Sequence, residues 1–171
     1  MVDDLNMGII AFCNARERAP VILTAKVLEM ILNDPSFDIY PSSKSARDKN
    51  LAIQRIQKED LERSRRSDTK PTLPLEKYTG TYKDEMYGDI YIIKTNDNEM
   101  NIKFSHSSIF NGPLTHWQFD TFRIDWDDLR VPDGFLTFNF NSKGEVTGFT
   151  LDQGRLLDVD FNELNICRRE K

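Results

Sequence analysis

The segment Leu114–Trp126, LTHWQFDTFRIDW, restricts the fold more than any other stretch of the chain. Trp117 and Phe119 alternate with polar residues. The phase resets at Asp120-Thr121, and Phe122, Ile124 and Trp126 then alternate again. A period of two puts every second side chain on one face, which is the pattern of half-buried strands rather than of a helix. Both tryptophans of the chain lie here, so the segment is expected at the heart of a β core.

Similar segments flank it, separated by turn residues. The alternation predicts strands near 77–83, 88–95, 99–105, 109–118, 121–127, 134–141, 145–152 and 157–167. Asn96-Asp97-Asn98, Pro132-Asp133-Gly134 and Asn141-Ser142-Lys143-Gly144 are among the turn signals between them. Met100, Ile102 and Phe104 mark one inward face, Leu136, Phe138 and Phe140 a second, and Leu157, Val159 and Phe161 a third. About eight short antiparallel strands joined by tight turns build a sandwich or an up-and-down barrel. An eight-stranded barrel closes either on its own side chains or on one small ligand.

The first part of the chain reads differently. Met7–Cys13, MGIIAFC, is a continuous apolar run of the kind found in strands buried on both faces. Pro20 suits the first turn of a helix that runs to about Asn33, where Asp34-Pro35 stops it. Val21, Ile22, Leu23, Val27, Leu28, Met30, Ile31 and Leu32 spread around more than one face of that helix, so it is expected to be buried. Such a strand and helix read as the last piece of a larger α/β layer. Residues 34–43 form a connection, and Ser45–Arg66 a solvated helix with a thin apolar stripe of Leu51, Ile53, Ile56 and Leu61. The domain organisation that follows is an α/β remnant over 1–41, a charged helical linker over 42–74 and a β domain over 75–171.

The net charge of −5 is uneven, with a net of +4 over residues 42–70. That stretch holds no aromatic residue to stack a base and its acids are interspersed, so it is a solvated helix face rather than a nucleic-acid site. No apolar run reaches the ~18 residues that a bilayer span needs, and no basic region precedes an apolar run as in a signal peptide. Cys13 and Cys167 form no metal or redox motif and read as buried free thiols, with a disulfide between them as the alternative.

Chemistry-bearing residues are few. His106 and His116 are the only histidines, and with Asp125, Asp127 and Asp128 they match no metal-site spacing. His116 is adjacent to Trp117 and therefore points to the opposite strand face. Asp125 and Asp127 alternate with Trp126 and share a face, as a carboxylate pair for acid–base work would, but they are read as acids on the solvent face of a strand. Ser67-Asp68-Thr69-Lys70 matches the Ser-x-x-Lys pattern of penicillin-recognising enzymes. That chemistry needs the motif on a buried helix, and here Pro71 follows at once. No catalytic residue, metal or cofactor is assigned. Within a barrel, His116, Trp117 and Trp126 are the candidate ligand-binding residues.

An ordered set of motifs in the β half carries a family resemblance. Tyr78-Thr79-Gly80-Thr81-Tyr82, Tyr87-Gly88-Asp89-Ile90, Leu114 to Phe122, Asp133-Gly134-Phe135 and Gly144-Glu145-Val146-Thr147-Gly148 follow one another. Together they resemble the lipocalin-like C-terminal domain attached to many serine hydrolases of the class C β-lactamase and penicillin-binding-protein superfamily. The strand-like Gly8–Ala15, the apolar helix after it and the Pro71-Thr72-Leu73-Pro74 end of the linker resemble what leads into that domain. The resemblance implies a mainly β chain, an antiparallel up-and-down barrel of about eight strands preceded by a strand and two helices. It also implies that the catalytic serine, lysine and tyrosine lie upstream of every residue present, so the chain alone is not expected to be an enzyme. In relatives the barrel is an accessory domain that shapes or gates the active site or mediates assembly. The alternative is a free-standing barrel that binds a small ligand. The expected partner is an upstream hydrolase domain, or a second copy docked through residues 8–33.

Overall fold

A computed structural model describes residues 6–14, 18–96, 99–154 and 160–169. The chain divides into two compact units, Met1–Ser64 and Arg65–Lys171. Residues 65–74, expected in the linker, group with the barrel.

In the first unit, helix α1 spans Ala19–Leu32 and helix α2 spans Tyr40–Ser64. Pro20 occupies the first turn of α1, where its missing N–H costs no bond. Asn33 ends the helix in the left-handed conformation, at φ 51°, and its N–H bonds to the Glu29 carbonyl. Helix α2 begins earlier than its composition indicates, because Pro41 falls in its first turn rather than before it. Two expectations fail here. Residues 8–13 form no strand, and Ile10 and Phe12 are 80% and 91% exposed. A strand exists only through a hydrogen-bonded neighbour, and the described part of this run has only an isolated bridge at Met7. Nor is any residue of α1 buried, and all four stripe residues of α2 are exposed.

The second unit is a closed barrel in which each strand pairs antiparallel with the next and the last with the first. Its strands are β1 Gly80–Asp84, β2 Gly88–Lys94, β3 Met100–Phe104, β4 Asn111–Gln118, β5 Thr121–Ile124, β6 Gly134–Phe140, β7 Val146–Gln153 and β8 Ile166–Arg168. The register carries the core. Tyr82 lies opposite Ile90, Ile92 opposite Ile102, Met100 opposite Leu114, Phe122 opposite Leu136, and Phe138 opposite Phe149. Directly opposed side chains share a face, so each alternating run supplies the inner layer of its neighbour. The last strand is shorter than its expected span. Phe161 is buried, as expected, but sits in a 3-10 turn, while Leu157 and Val159 lie outside the described residues.

Aromatic rings fill the interior. Tyr78, Tyr82, Phe122, Phe138 and Phe149 meet with centroids between 4.6 and 5.9 Å for the Tyr78–Phe138, Tyr82–Phe149, Phe122–Phe138 and Phe138–Phe149 pairs. Phe104, Phe110, Trp126 and Phe161 close the end where β3 leaves and β4 begins. Edge-to-face pairs of this kind contribute about 0.5–1.5 kcal/mol each beyond their burial. The polar edge of Trp126 is satisfied, since its Nε1 donates to Gln153 Oε1 at 2.8 Å. Gln153 Nε2 in turn donates to the Pro132 carbonyl at 2.7 Å.

Candidate functional site

The densest polar constellation of the barrel lies at the opposite end, where the chain enters. Residues 65–78 cross this rim as a strap. Leu73 and Leu75 pack against the core and Tyr78 is fully buried, so the strap covers the mouth with apolar side chains.

The β4–β5 hairpin holds the strap down. The Tyr78 hydroxyl donates to Asp120 Oδ1 and accepts from the Leu73 N–H at 3.0 Å. Asp120 also accepts from the Thr72 N–H at 2.8 Å and the Thr72 hydroxyl at 2.7 Å. Thr69 Oγ1 accepts from the Phe119 N–H at 2.9 Å. Arg65 donates to the carbonyls of Trp117 and His116, and the Arg66 N–H donates to Gln118 Oε1. Burial, and then the neighbouring Asp120 carboxylate, push the Tyr78 hydroxyl above its usual pKa, so it stays a neutral donor. Below it Tyr82, buried and donating to the Tyr78 carbonyl, is pushed up to about 12.

The hairpin itself is bent to this task. The register shifts between His116 and Gln118, so Trp117 is a bulge residue. A bulge re-aims a side chain, and Trp117 lies outside the core cluster. It is covered instead by Phe135, at 5.1 Å between centroids, and by the Arg65 guanidinium, 4.7 Å from its ring centroid. Phe119 adopts φ 48° in the tight turn, a conformation that costs a non-glycine residue roughly 1–2 kcal/mol. Three groups brace it: Thr69 on its N–H, His116 Nε2 within 2.9 Å of its carbonyl oxygen, and Arg66 over its ring.

The three candidate ligand-binding residues therefore do not converge. His116 turns toward Phe122, its cross-strand partner, with ring centroids 5.6 Å apart. Trp117 sits on the outer face, as its adjacency to His116 requires, and not in the core. Trp126 belongs to the aromatic plug at the far end.

The remaining chemistry-bearing residues have other surroundings. His106 is exposed at that far end, against Gly88, whose φ of 77° and close approach leave no room for a Cβ. It is therefore remote from His116. Asp125 and Asp127 follow the end of β5, where their N–H groups still bond to the Pro113 and Asn111 carbonyls of β4, and Asp125 pairs with Arg123 at 3.0 Å. Hydrogen bonds from Arg130 hold Asp128 down to about 2. Cys13 and Cys167, expected to be buried, are both exposed. Among the described residues, no three His, Cys, Asp or Glu side chains stand close enough to share a metal ion. Ser67 and Lys70 are exposed in the loop after α2, with no helix to bring them together. No described helix is long and apolar enough to cross a membrane.

Sequence inspection missed the strap because its bonds join residues about fifty positions apart, for which no periodicity exists. The one available signal was Asp120 in a tight turn, an acceptor whose donors had not been identified. Comparison with curated proteins and with solved structures gives no match. A family model does match, over residues 64–168, and so begins where the strap begins. The chain belongs to the family described as "Domain of unknown function (DUF3471)".

Proposed function

We propose that the barrel is a non-catalytic accessory domain of a β-lactamase-like serine hydrolase, and that it shapes or gates the parent's active site or mediates assembly. One observation carries this reading: the chain's entry into the barrel is bonded to the rim. Hydrogen bonds from Arg65, Arg66, Thr69 and Thr72 to the β4–β5 hairpin give a preceding domain a defined point of attachment. The same strap covers the mouth that a ligand carrier would keep open, and aromatic rings occupy the space a ligand would fill. The apolar faces left exposed on α1 and at Ile10 and Phe12 also fit a unit whose covering surface belongs to another domain.

The test is the reading frame upstream of the codon for Met1. A continuous frame encoding Ser-x-x-Lys on a helix and a later Tyr-x-Asn is the expected result. An in-frame stop codon just before Met1 would refute the proposal. Labelling with a fluorophosphonate separates the roles: the longer protein is expected to react at its upstream serine and the 171-residue chain to stay unlabelled.

A further inference from the structure

The barrel's seam is incomplete at the strap end. Strand β8 stays with β1 to its end, with Tyr82 opposite Arg168 and the Arg169 N–H bonded to the Thr81 carbonyl at 2.9 Å. Its pairing with β7 stops at Gly148–Cys167, after Phe149–Ile166. Where the two strands part, a cleft of about 700 Å³ opens, lined among others by Leu73, Val146, Lys77, Glu145, Arg168 and Arg169.

Among the described residues the charge of this cleft is unbalanced. The Arg168 guanidinium is fixed by two carbonyls, of Lys77 at 2.8 Å and Thr79 at 2.6 Å, and lies 5.8 Å from the Tyr82 ring centroid. All three partners are neutral, so they orient the cation without cancelling it. Among the described residues the Lys77 ammonium has no hydrogen-bond or ion-pair partner. Arg169 shares its charge with Asp89 at 3.2 Å in an exposed pair. Glu145, the one acid lining the cleft among the described residues, already accepts from the Asn141 amide. Excess positive charge on a chain of net charge −5 marks a place where an anion is favoured. Size and lining narrow the class. The volume lies within the ~300–1,000 Å³ of small-molecule sites, and the half-buried Leu73 gives the cleft an apolar wall that a bare inorganic ion would not use.

We propose that this rim cleft binds a small organic anion, a carboxylate with an apolar chain. Lys77 and Arg169 meet the carboxylate, Arg168 supplies a fixed positive field, and Leu73 takes the chain. The proposal stands whether or not a hydrolase domain precedes the barrel.

The test follows the amide resonances of the isotopically labelled full chain during titration with octanoate, octanol and sulfate. Octanoate is expected to shift the amides of Lys77, Glu145, Val146 and Arg168 to saturation, while octanol and sulfate leave them in place. Equal binding of octanol would overturn the anionic character of the site. Equal binding of sulfate would reduce it to an adventitious ion only. No saturable shift with octanoate would remove the site altogether. Lys77→Glu is expected to weaken octanoate about tenfold while leaving the remaining spectrum unchanged. Affinity unchanged in both Lys77→Glu and Arg169→Glu would also overturn the proposal.

Discussion

The two units of this chain have similar hydrophobic material and use it in opposite ways. Helix α1 is mostly apolar and buries none of its residues. Among the described residues the barrel buries twenty-one hydrophobic side chains, all of them from Tyr78 onward. The difference is one of pairing. Each barrel strand finds a neighbour on either side that pairs with its backbone and opposes its apolar face, so no strand lies at a sheet edge. The apolar run at 8–13 has no such neighbour and forms no strand. Hydrophobicity supplies the driving force for burial, but long-range pairing decides which segments attain it.

Mutations that act on one unit and not the other sharpen this contrast. The largest effect is expected from Phe138→Ala, since Phe138 is 3% exposed and touches Tyr78, Tyr82, Phe122 and Phe149. Denaturant unfolding should show a loss of about 3–5 kcal/mol. A loss under about 1 kcal/mol would mean that the interior is not packed as described. Asp120→Ala comes next. It removes the acceptor of the Tyr78 hydroxyl and of both Thr72 donors, for an expected cost of about 2 kcal/mol. Tyr78→Phe should cost about 1 kcal/mol, and the double variant less than the sum of the two, because both single changes break the same bond.

Alkaline pH addresses the same pair of tyrosines. Tyr78 and Tyr82 titrate higher in the folded chain than the ~10 of an unfolded tyrosine. Their contribution is therefore complete below pH ~10 and is lost as the pH rises from there through about 12, the value for Tyr82. Thermal unfolding followed together with phenolate absorbance should show stability falling only above that lower bound. A decline that begins near neutral pH would point to other groups. The smallest effect is expected in the first unit, where Met30→Ala on α1 and Ile56→Ser on α2 should stay within about ±0.5 kcal/mol, because both side chains are exposed.

The strands were legible because alternation is a local property. The spans read at 88–95 and 134–141 differ by one residue from β2 and β6. The strand–helix layer expected over 8–33 was half right: the helix forms, but neither part is buried in the described residues. The hairpin shows where local reading ends. That His116 and Trp117 face opposite ways follows from adjacency alone. Which of them points outward depends on a bulge, and the left-handed turn at Phe119 depends on contacts from residues 66, 69 and 116. The expected barrel start at Leu75 followed the prolines. The actual boundary follows hydrogen bonds that reach forward from Arg65, and no composition change marks them.

The most direct test of this account is the melting temperature of three chains: 1–171, 65–171 and 75–171. The strap belongs to the barrel if 65–171 melts with the full chain while 75–171 melts well below it. The last fragment lacks the bonds from Arg65, Arg66, Thr69 and Thr72 and the Leu73 contact. At about 0.5–1.5 kcal/mol per bond, and with about 4–8 °C lost per kcal/mol in a domain of this size, the gap should exceed roughly 8 °C. Equal melting of 65–171 and 75–171 would show that the strap is only a linker. Failure of 65–171 to fold would show that the barrel needs the helices before it.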